Sequence, residues 1–301
     1  MFYRSIHYLR GLAALAVAAF HAFIDEAPQV LAGGVDVFFV ISGFVMVEAT
    51  RNGFNAHRFL LARAARILPP YWIACALASV LVVSTPLRDW LLVPEATVMW
   101  GWPIPEPFLS PGWTLAYEAL FYILFAVCLG RWWLTAILLT VLAGLGTVWQ
   151  LVITNPIVLE FAFGMALANL PRQHLARWSG VLLVGALSCF LLAASLERIP
   201  MVSRWLILGM PSAALVAGLV GLEARIPASR VLHFLGSASY SIYLVHMLPM
   251  VWTSHWTGLA LGVTAGSLMY LTLERPVNRY SRQLLSGFKP AWNRPRPRQA
   301  T

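Results

Sequence analysis

The sequence predicts an all-α integral membrane protein, a bundle of about ten transmembrane helices with both termini cytoplasmic. Three observations predict it. Of the 301 residues, 59% are hydrophobic and 11% charged, whereas a soluble domain carries about 25% charged residues. So little polar surface cannot cover a water-facing globule. Second, apolar segments recur at 9–25, 35–50, 67–85, 113–130, 132–149, 153–170, 178–195, 203–222, 232–252 and 256–274. Third, the basic residues are divided unevenly between alternate loops.

One set of loops holds Arg4, Arg10, Arg51, Arg58, Arg63, Arg66, Arg131, Arg172, Arg177, Arg225 and Arg230. The C-terminal region adds Arg275, Arg279, Arg282, Lys289, Arg294, Arg296 and Arg298, and the opposite loops hold Arg88, Arg198 and Arg204. The positive side faces the cytoplasm, and an even number of helices independently requires both ends on one side. The net charge of +9 is thereby a topological signal and not a nucleic-acid footprint, since the charges lie between apolar runs.

The segments set the reading of each region. The first follows Arg4 and Arg10 like a secretory signal, but it contains His21 and more apolar segments follow, so it reads as a retained helix. Several segments are shorter than the roughly 20 residues a span needs, which suggests local thinning or a recessed, wet interior. The outer loop 86–112 carries Pro86, Pro94, Pro103, Pro105, Pro107 and Pro111 with Trp90, Trp100 and Trp102. Proline at this density prevents a regular helix. The tryptophans read first as an interfacial belt and alternatively as an aromatic lid for sugar rings. Residues 1–285 form one transmembrane domain, and the basic, proline-rich stretch 286–301 reads as a disordered cytoplasmic tail adhering to anionic lipid. Cys75, Cys128 and Cys189 lie in apolar runs without metal or redox spacing. No metal is expected, and the sequence sets no oligomeric state.

Ionisable residues inside spans are functional candidates by default, here His21, Asp36, Glu118, Glu160 and His246. Arg10 precedes His21 by eleven residues, which brings both to nearly one helix face about 16 Å apart along the axis. One stripe then carries a cation at the cytoplasmic mouth and an imidazole near the outer end. Asp25, one turn on, is placed to orient the ring. Trp113 opens the fourth segment, and Glu118 lies about 8 Å below the outer surface against about 6 Å for His21, so an acid and a base share one depth. Asp36 complements the dipole of the second helix, and Ser42 with Gly43 makes a small packing face. Glu160 and His246 read as structural groups near mid-membrane, and Glu274 with Arg275 as an interfacial ion pair. Arg58, Arg63 and Arg66 crowd the stretch 51–66. Arg63 and Arg66, three apart, suit bidentate phosphate binding, although positive-inside charge explains them equally.

Six stretches carry a resemblance. They are Arg10-Gly-Leu-Ala-Ala-Leu with His21, Gly34-Val-Asp-Val-Phe-Phe-Val-Ile-Ser-Gly-Phe44, Arg63-Ala-Ala-Arg66-Ile-Leu-Pro-Pro-Tyr-Trp72, Pro111-Gly-Trp-Thr-Leu-Ala-Tyr-Glu118-Ala-Leu-Phe-Tyr122, Leu235-Gly-Ser-Ala-Ser-Tyr-Ser-Ile-Tyr-Leu-Val-His246 and Glu274-Arg-Pro276. In this order they resemble the membrane acyltransferase-3 family, and the opening Ser5-Ile-His-Tyr-Leu-Arg-Gly-Leu resembles its exopolysaccharide-production branch. The resemblance implies a multi-pass protein of the bacterial inner membrane. It implies that Arg10 and His21 are the family's arginine–histidine pair, that Arg63 and Arg66 serve the phosphates of acyl-CoA, and that Glu118 is the family's acidic position. The expected activity is transfer of an acetyl or other short acyl group from cytoplasmic acetyl-CoA to a carbohydrate hydroxyl. His21 then acts as general base or covalent relay while Glu118 orients or charges it. A transporter or flippase would also place polar groups in mid-membrane, and a lipid or small metabolite remains an alternative acceptor.

Overall fold

In the computed structural model, residues 3–82, 86–92, 95–99, 101–107 and 109–287 are described. Among the described residues each of the ten apolar segments contains helix, and the helix ends explain where the expected boundaries move. The helices are α1 (Arg4–Ala22), α2 (Gly34–Thr50), α3 (Ala56–Leu81), α4 (Leu87–Trp90), α5 (Gly112–Val127), α6 (Trp132–Leu145), α7 (Leu159–Asn169), α8 (Arg172–Ala193), α9 (Met201–Arg204), α10 (Met210–Gly221), α11 (Arg230–Val245), α12 (Met247–Met250), α13 (His255–Met269) and α14 (Arg275–Gly287). π-turns at Trp205–Gly209 and Tyr270–Glu274 join α9 to α10 and α13 to α14. Five continuous helical stretches are long and apolar enough to cross a membrane: Gln29–Thr50, Ala56–Leu81, Arg172–Ala193, Met201–Gly221 and His255–Tyr280. Their outer faces are apolar, as on α8 with Val181, Val184, Leu187 and Leu191 exposed. This is a multi-pass membrane protein.

α3 starts eleven residues before the segment predicted at 67–85. Asn55 caps it by accepting from the Arg58 amide at 2.8 Å, so Arg58, Arg63 and Arg66 stand on a helix and not in a loop. Pro69 and Pro70 inside α3 have no N–H to give the carbonyls of Ala65 and Arg66. α7 starts later than predicted because Asn155 accepts from the Ile157 amide at 3.0 Å and turns the chain through Pro156–Val158. That puts Glu160 in the first turn of α7, and His246 caps the C-terminus of α11. Both lie at helix ends. α1 lacks a local cap, and Glu223 supplies it from across the bundle, accepting from the amides of Arg4 at 2.7 Å and Ser5 at 3.0 Å.

The outer loop folds into an antiparallel pair, β1 (Glu95–Met99) and β2 (Trp102–Glu106). Trp102 is not an interfacial belt residue. It is 1% exposed and donates its indole N–H to the Leu151 carbonyl at 3.1 Å. Pro94, Trp100 and residues 288–301, including Lys289, Arg294, Arg296 and Arg298, lie outside the described residues. Glu274 is also not an interfacial ion pair. It is buried, and accepts from Ser241 at 2.5 Å and Asn278 at 3.3 Å.

α1 packs along α11, α2 along α7 and α11 along α13. Without a hydrophobic drive between helices in lipid, small residues let the backbones approach. A Cβ on Gly236 would stand 2.2 Å from the His7 carbonyl oxygen, and one on Gly43 would stand 2.1 Å from that of Phe161. Gly43 is therefore the small packing contact that the sequence suggested. Gly236→Ala should separate α1 from α11 and destabilise the bundle by about 1–3 kcal/mol. Thermal unfolding in detergent checks this, and an unchanged midpoint would contradict the close approach.

Candidate functional site

Three cavities share lining residues in succession, and the polar residues divide among them. The largest of the three, a mouth of about 530 Å³, is walled by Arg10, Arg63, Arg66, Glu274, Arg275 and Arg279. A middle cavity of about 90 Å³ shares Arg10 and Arg66 with the mouth and adds Ser42, Glu118, Tyr122 and Tyr240. An outer cavity of about 30 Å³ shares Val35 and Tyr243 with the middle one and adds His21, Trp113 and Arg204. The cavities thus decrease in volume from the one lined by arginines to the one lined by the His21 imidazole. Arg10 and His21 stand on α1 at its two ends, as their eleven-residue spacing requires.

The mouth is basic and open to a ligand. Arg10 and Arg66 make no hydrogen bond or ion pair with the described residues, and the Nε of Arg63 is buried without a partner there. The Arg63 guanidinium lies over the Phe59 ring, 5.9 Å from its centroid. Other arginines of the same side are occupied. Arg51 and Arg172 both hold Glu48, at 2.8 Å and 2.7 Å. The arginines of this region thus fall into a paired group and a group without such partners among the described residues.

At the outer end His21 meets His246. Their rings are 5.1 Å apart between centroids, with His246 Nε2 3.2 Å from His21 Nδ1. The partners assign the tautomers. His21 Nδ1 lies 2.9 Å from the Val17 carbonyl and His246 Nδ1 2.8 Å from the Tyr243 carbonyl. Carbonyl oxygens only accept, so each Nδ1 carries the proton. The lone pair on His246 Nε2 then faces the His21 Nδ1–H. His21 Nε2 keeps its own lone pair and has no hydrogen-bond partner among the described residues.

Two expectations about His21 are corrected. Asp25 does not orient the ring: α1 stops at Ala22, Asp25 is exposed beyond it, and His246 takes the orienting place. Glu118 is not beside the imidazole. It accepts from Ser42 at 3.1 Å and from Tyr122, and it lines the middle cavity with Arg10 and Arg66. The start of α5 is itself recessed, because Pro111 and Trp113 line the His21 cavity. Glu118, five residues further, is about 7.5 Å deeper. Trp113 stands edge-on to Phe39 and Tyr117, at 6.5 Å and 6.0 Å between centroids.

Asp36 does more than face a helix dipole. Arg204 donates from Nε to Asp36 Oδ1 at 3.0 Å, from Nη2 to Oδ2 at 2.6 Å, and from Nη2 to the Ala32 carbonyl at 2.9 Å. The two residues are 0% and 2% exposed. Arg204 was expected in an outer loop, although it falls inside the segment 203–222. Glu160, also fully buried, sits beside the pair without completing a hydrogen bond. The sequence reading passed over Arg204, Tyr243 and the pairing of His246. An arginine within an apolar segment was the available signal for the first.

The family described as an acyltransferase domain matches residues 3–273. The exopolysaccharide production protein ExoZ of Rhizobium meliloti strain 1021 is 33% identical, over 83% of this chain and 90% of that protein. The acyltransferase MdmB of Streptomyces mycarofaciens is 27% identical, over 96% of this chain and 94% of that protein. No solved structure matches the chain.

Removing one member of a buried ion pair leaves an uncompensated charge, at a cost of about 3–5 kcal/mol. Asp36→Ala should therefore lower the thermal midpoint more than Ser42→Ala, which removes a buried but uncharged group. Equal midpoints for Asp36→Ala and Ser42→Ala in a detergent melt would count against this role of the pair.

Proposed function

This chain belongs to the acyltransferase family, and from that premise we propose that it moves an acetyl or other short acyl group from cytoplasmic acyl-CoA to a hydroxyl of an extracytoplasmic or lipid-linked polysaccharide. The observation that carries the reading is the succession of cavities from the basic mouth to His21. The exopolysaccharide in the name of the Rhizobium relative supports a carbohydrate acceptor. In this reading the chain crosses the bacterial inner membrane ten times with both termini inside.

Arg63 and Arg66 hold the phosphates of the donor at the mouth, where guanidinium forks match phosphate oxygens. The acyl arm lies along α1, past Arg10 and Glu118, toward the outer cavity. There the acceptor hydroxyl gives its proton to His21 Nε2 as its oxygen attacks the thioester carbonyl carbon. The resulting imidazolium keeps its Nδ1–H shared between the Val17 carbonyl and His246 Nε2, which together take the orienting role that a carboxylate plays in hydrolytic triads. Collapse of the adduct re-forms the carbonyl, breaks the carbon–sulfur bond and returns the proton to the leaving thiolate, so coenzyme A departs as the thiol. Ser42 and Tyr122 fix Glu118 as a counter-charge to Arg10 and Arg66. It steadies the mouth instead of polarising the base.

His21→Ala should abolish acetyl esters on the cell-surface polymer, read by NMR, with expression intact, and a full ester signal would reject the assignment. His246→Ala should lower the turnover of labelled acetyl-CoA by roughly 10²-fold, the lower end of what a positioned acid–base group contributes. Arg66→Met should instead raise KM for acetyl-CoA about tenfold with kcat held, as loss of one ground-state phosphate contact does. A fall in kcat at constant KM would move Arg66 from binding to chemistry.

A further inference from the structure

We propose that Arg204, locked by Asp36, is a catalytic residue that stabilises the oxyanion formed on the acyl carbonyl during transfer at His21. The inference deepens the acyl-transfer reading and rests on it. Arg204 forms part of the wall of the same small cavity as His21, together with Tyr243 and Trp113. It arrives there from α9, a different element from the α1 that carries His21, and it is 2% exposed. A guanidinium in such surroundings has a large desolvation cost. That cost is offset by the two-point bond to Asp36 and the bond to the Ala32 carbonyl. A purely structural tie between α2 and α9 would be served as well by apolar packing. Placed at the wall of the reaction cavity, the pair instead fixes a cationic donor before the reaction begins.

The chemistry needs such a donor. When the hydroxyl oxygen bonds to the thioester carbon, the carbonyl π electrons move onto oxygen, and His21 Nε2 takes the hydroxyl proton. The new negative charge is on the carbonyl oxygen, and neither imidazole can neutralise it, since one holds the proton and the other holds the first ring. Preorganised donors at a developing oxyanion act most strongly in a water-poor site, and a cavity of about 30 Å³ admits little water. Asp36 is then a positioning residue: it aims Arg204 and does not meet the substrate.

The test removes both charges at once, so that an ion pair is not broken. The full chain carrying Asp36→Asn with Arg204→Met is purified in detergent beside the unaltered protein, Arg204→Lys and His21→Ala. Thiol release from acetyl-CoA is followed with polysaccharide from a deletion strain as acceptor, and thermal midpoints are recorded. The double variant should keep its midpoint and KM while kcat falls about 10²-fold or more, the loss that follows removal of one oxyanion donor. A double variant that folds and turns over at the unaltered rate would overturn the proposal and leave only a structural tie. If the double variant does not fold, Arg204→Lys decides. It retains a cation but not the planar fork, so kcat should fall about tenfold at constant midpoint and KM, and an unchanged kcat would overturn the proposal. His21→Ala separates the two failures, because its full activity would reject the underlying reading, whereas its inactivity beside an active double variant would reject the role of Arg204 alone.

Discussion

Lipid offers no hydrogen bonds, and that constraint organises everything else in this chain. Each polar group inside the hydrocarbon region has to find its partner within the protein. The strongest case is the Asp36–Arg204 pair, which ties α2 to α9 with two hydrogen bonds in a buried setting, while a third holds Arg204 to the Ala32 carbonyl just before α2. The same rule explains the Glu48 cluster with Arg51 and Arg172, the capping of α1 by Glu223, and the bonds from Ser241 and Asn278 to Glu274. Other buried polar atoms lack such a partner among the described residues, Arg63 Nε and the Glu160 carboxylate oxygens among them. The guanidinium groups of Arg10 and Arg66 and the Nε2 of His21 face cavities instead of partners.

Close helix packing turns those cavity-facing groups into one site. α1 carries Arg10 and His21 at its two ends, and it lies against α11 through the Gly236 contact with the His7 carbonyl. α11 in turn lies on α13, where a Cβ at Gly262 would stand 2.6 Å from the His246 carbonyl oxygen. The position of the His246 ring against His21 is therefore set by backbone approach along two helices, not by the rings' own attraction. A cation at one end and a base at the other then share a single rigid axis, with the cavities beside it.

The fold was legible because its signals are local. Apolar run length, proline spacing and the bias of arginine between loops all survive without knowledge of neighbours, and the helical segments fall where they indicate. The misplaced boundaries trace to caps. Asn55 extended α3 back over Arg58, Arg63 and Arg66, and Asn155 delayed α7 until Glu160 stood in its first turn. At the site, the Arg10–His21 stripe was readable from helical periodicity alone. The partner of His21 was not, because Asp25 is four residues away in sequence and His246 is 225 away. Local spacing favours the near residue until the helix is seen to end at Ala22.

The sequence by itself determined that this is a multi-pass helical membrane protein of acyltransferase type, and it singled out the ionisable residues within its apolar segments. The physical reason is that hydropathy, charge bias and motif spacing are properties of the chain taken one segment at a time. The tertiary structure alone decided which of those residues meet. It put His246 and not Asp25 on His21, set Glu118 among Arg10, Arg66 and Ser42, and turned Arg204 from an outer-loop charge into the buried partner of Asp36. Pairing across a bundle depends on helix rotation and depth, and those are fixed by contacts between segments that sequence order does not express.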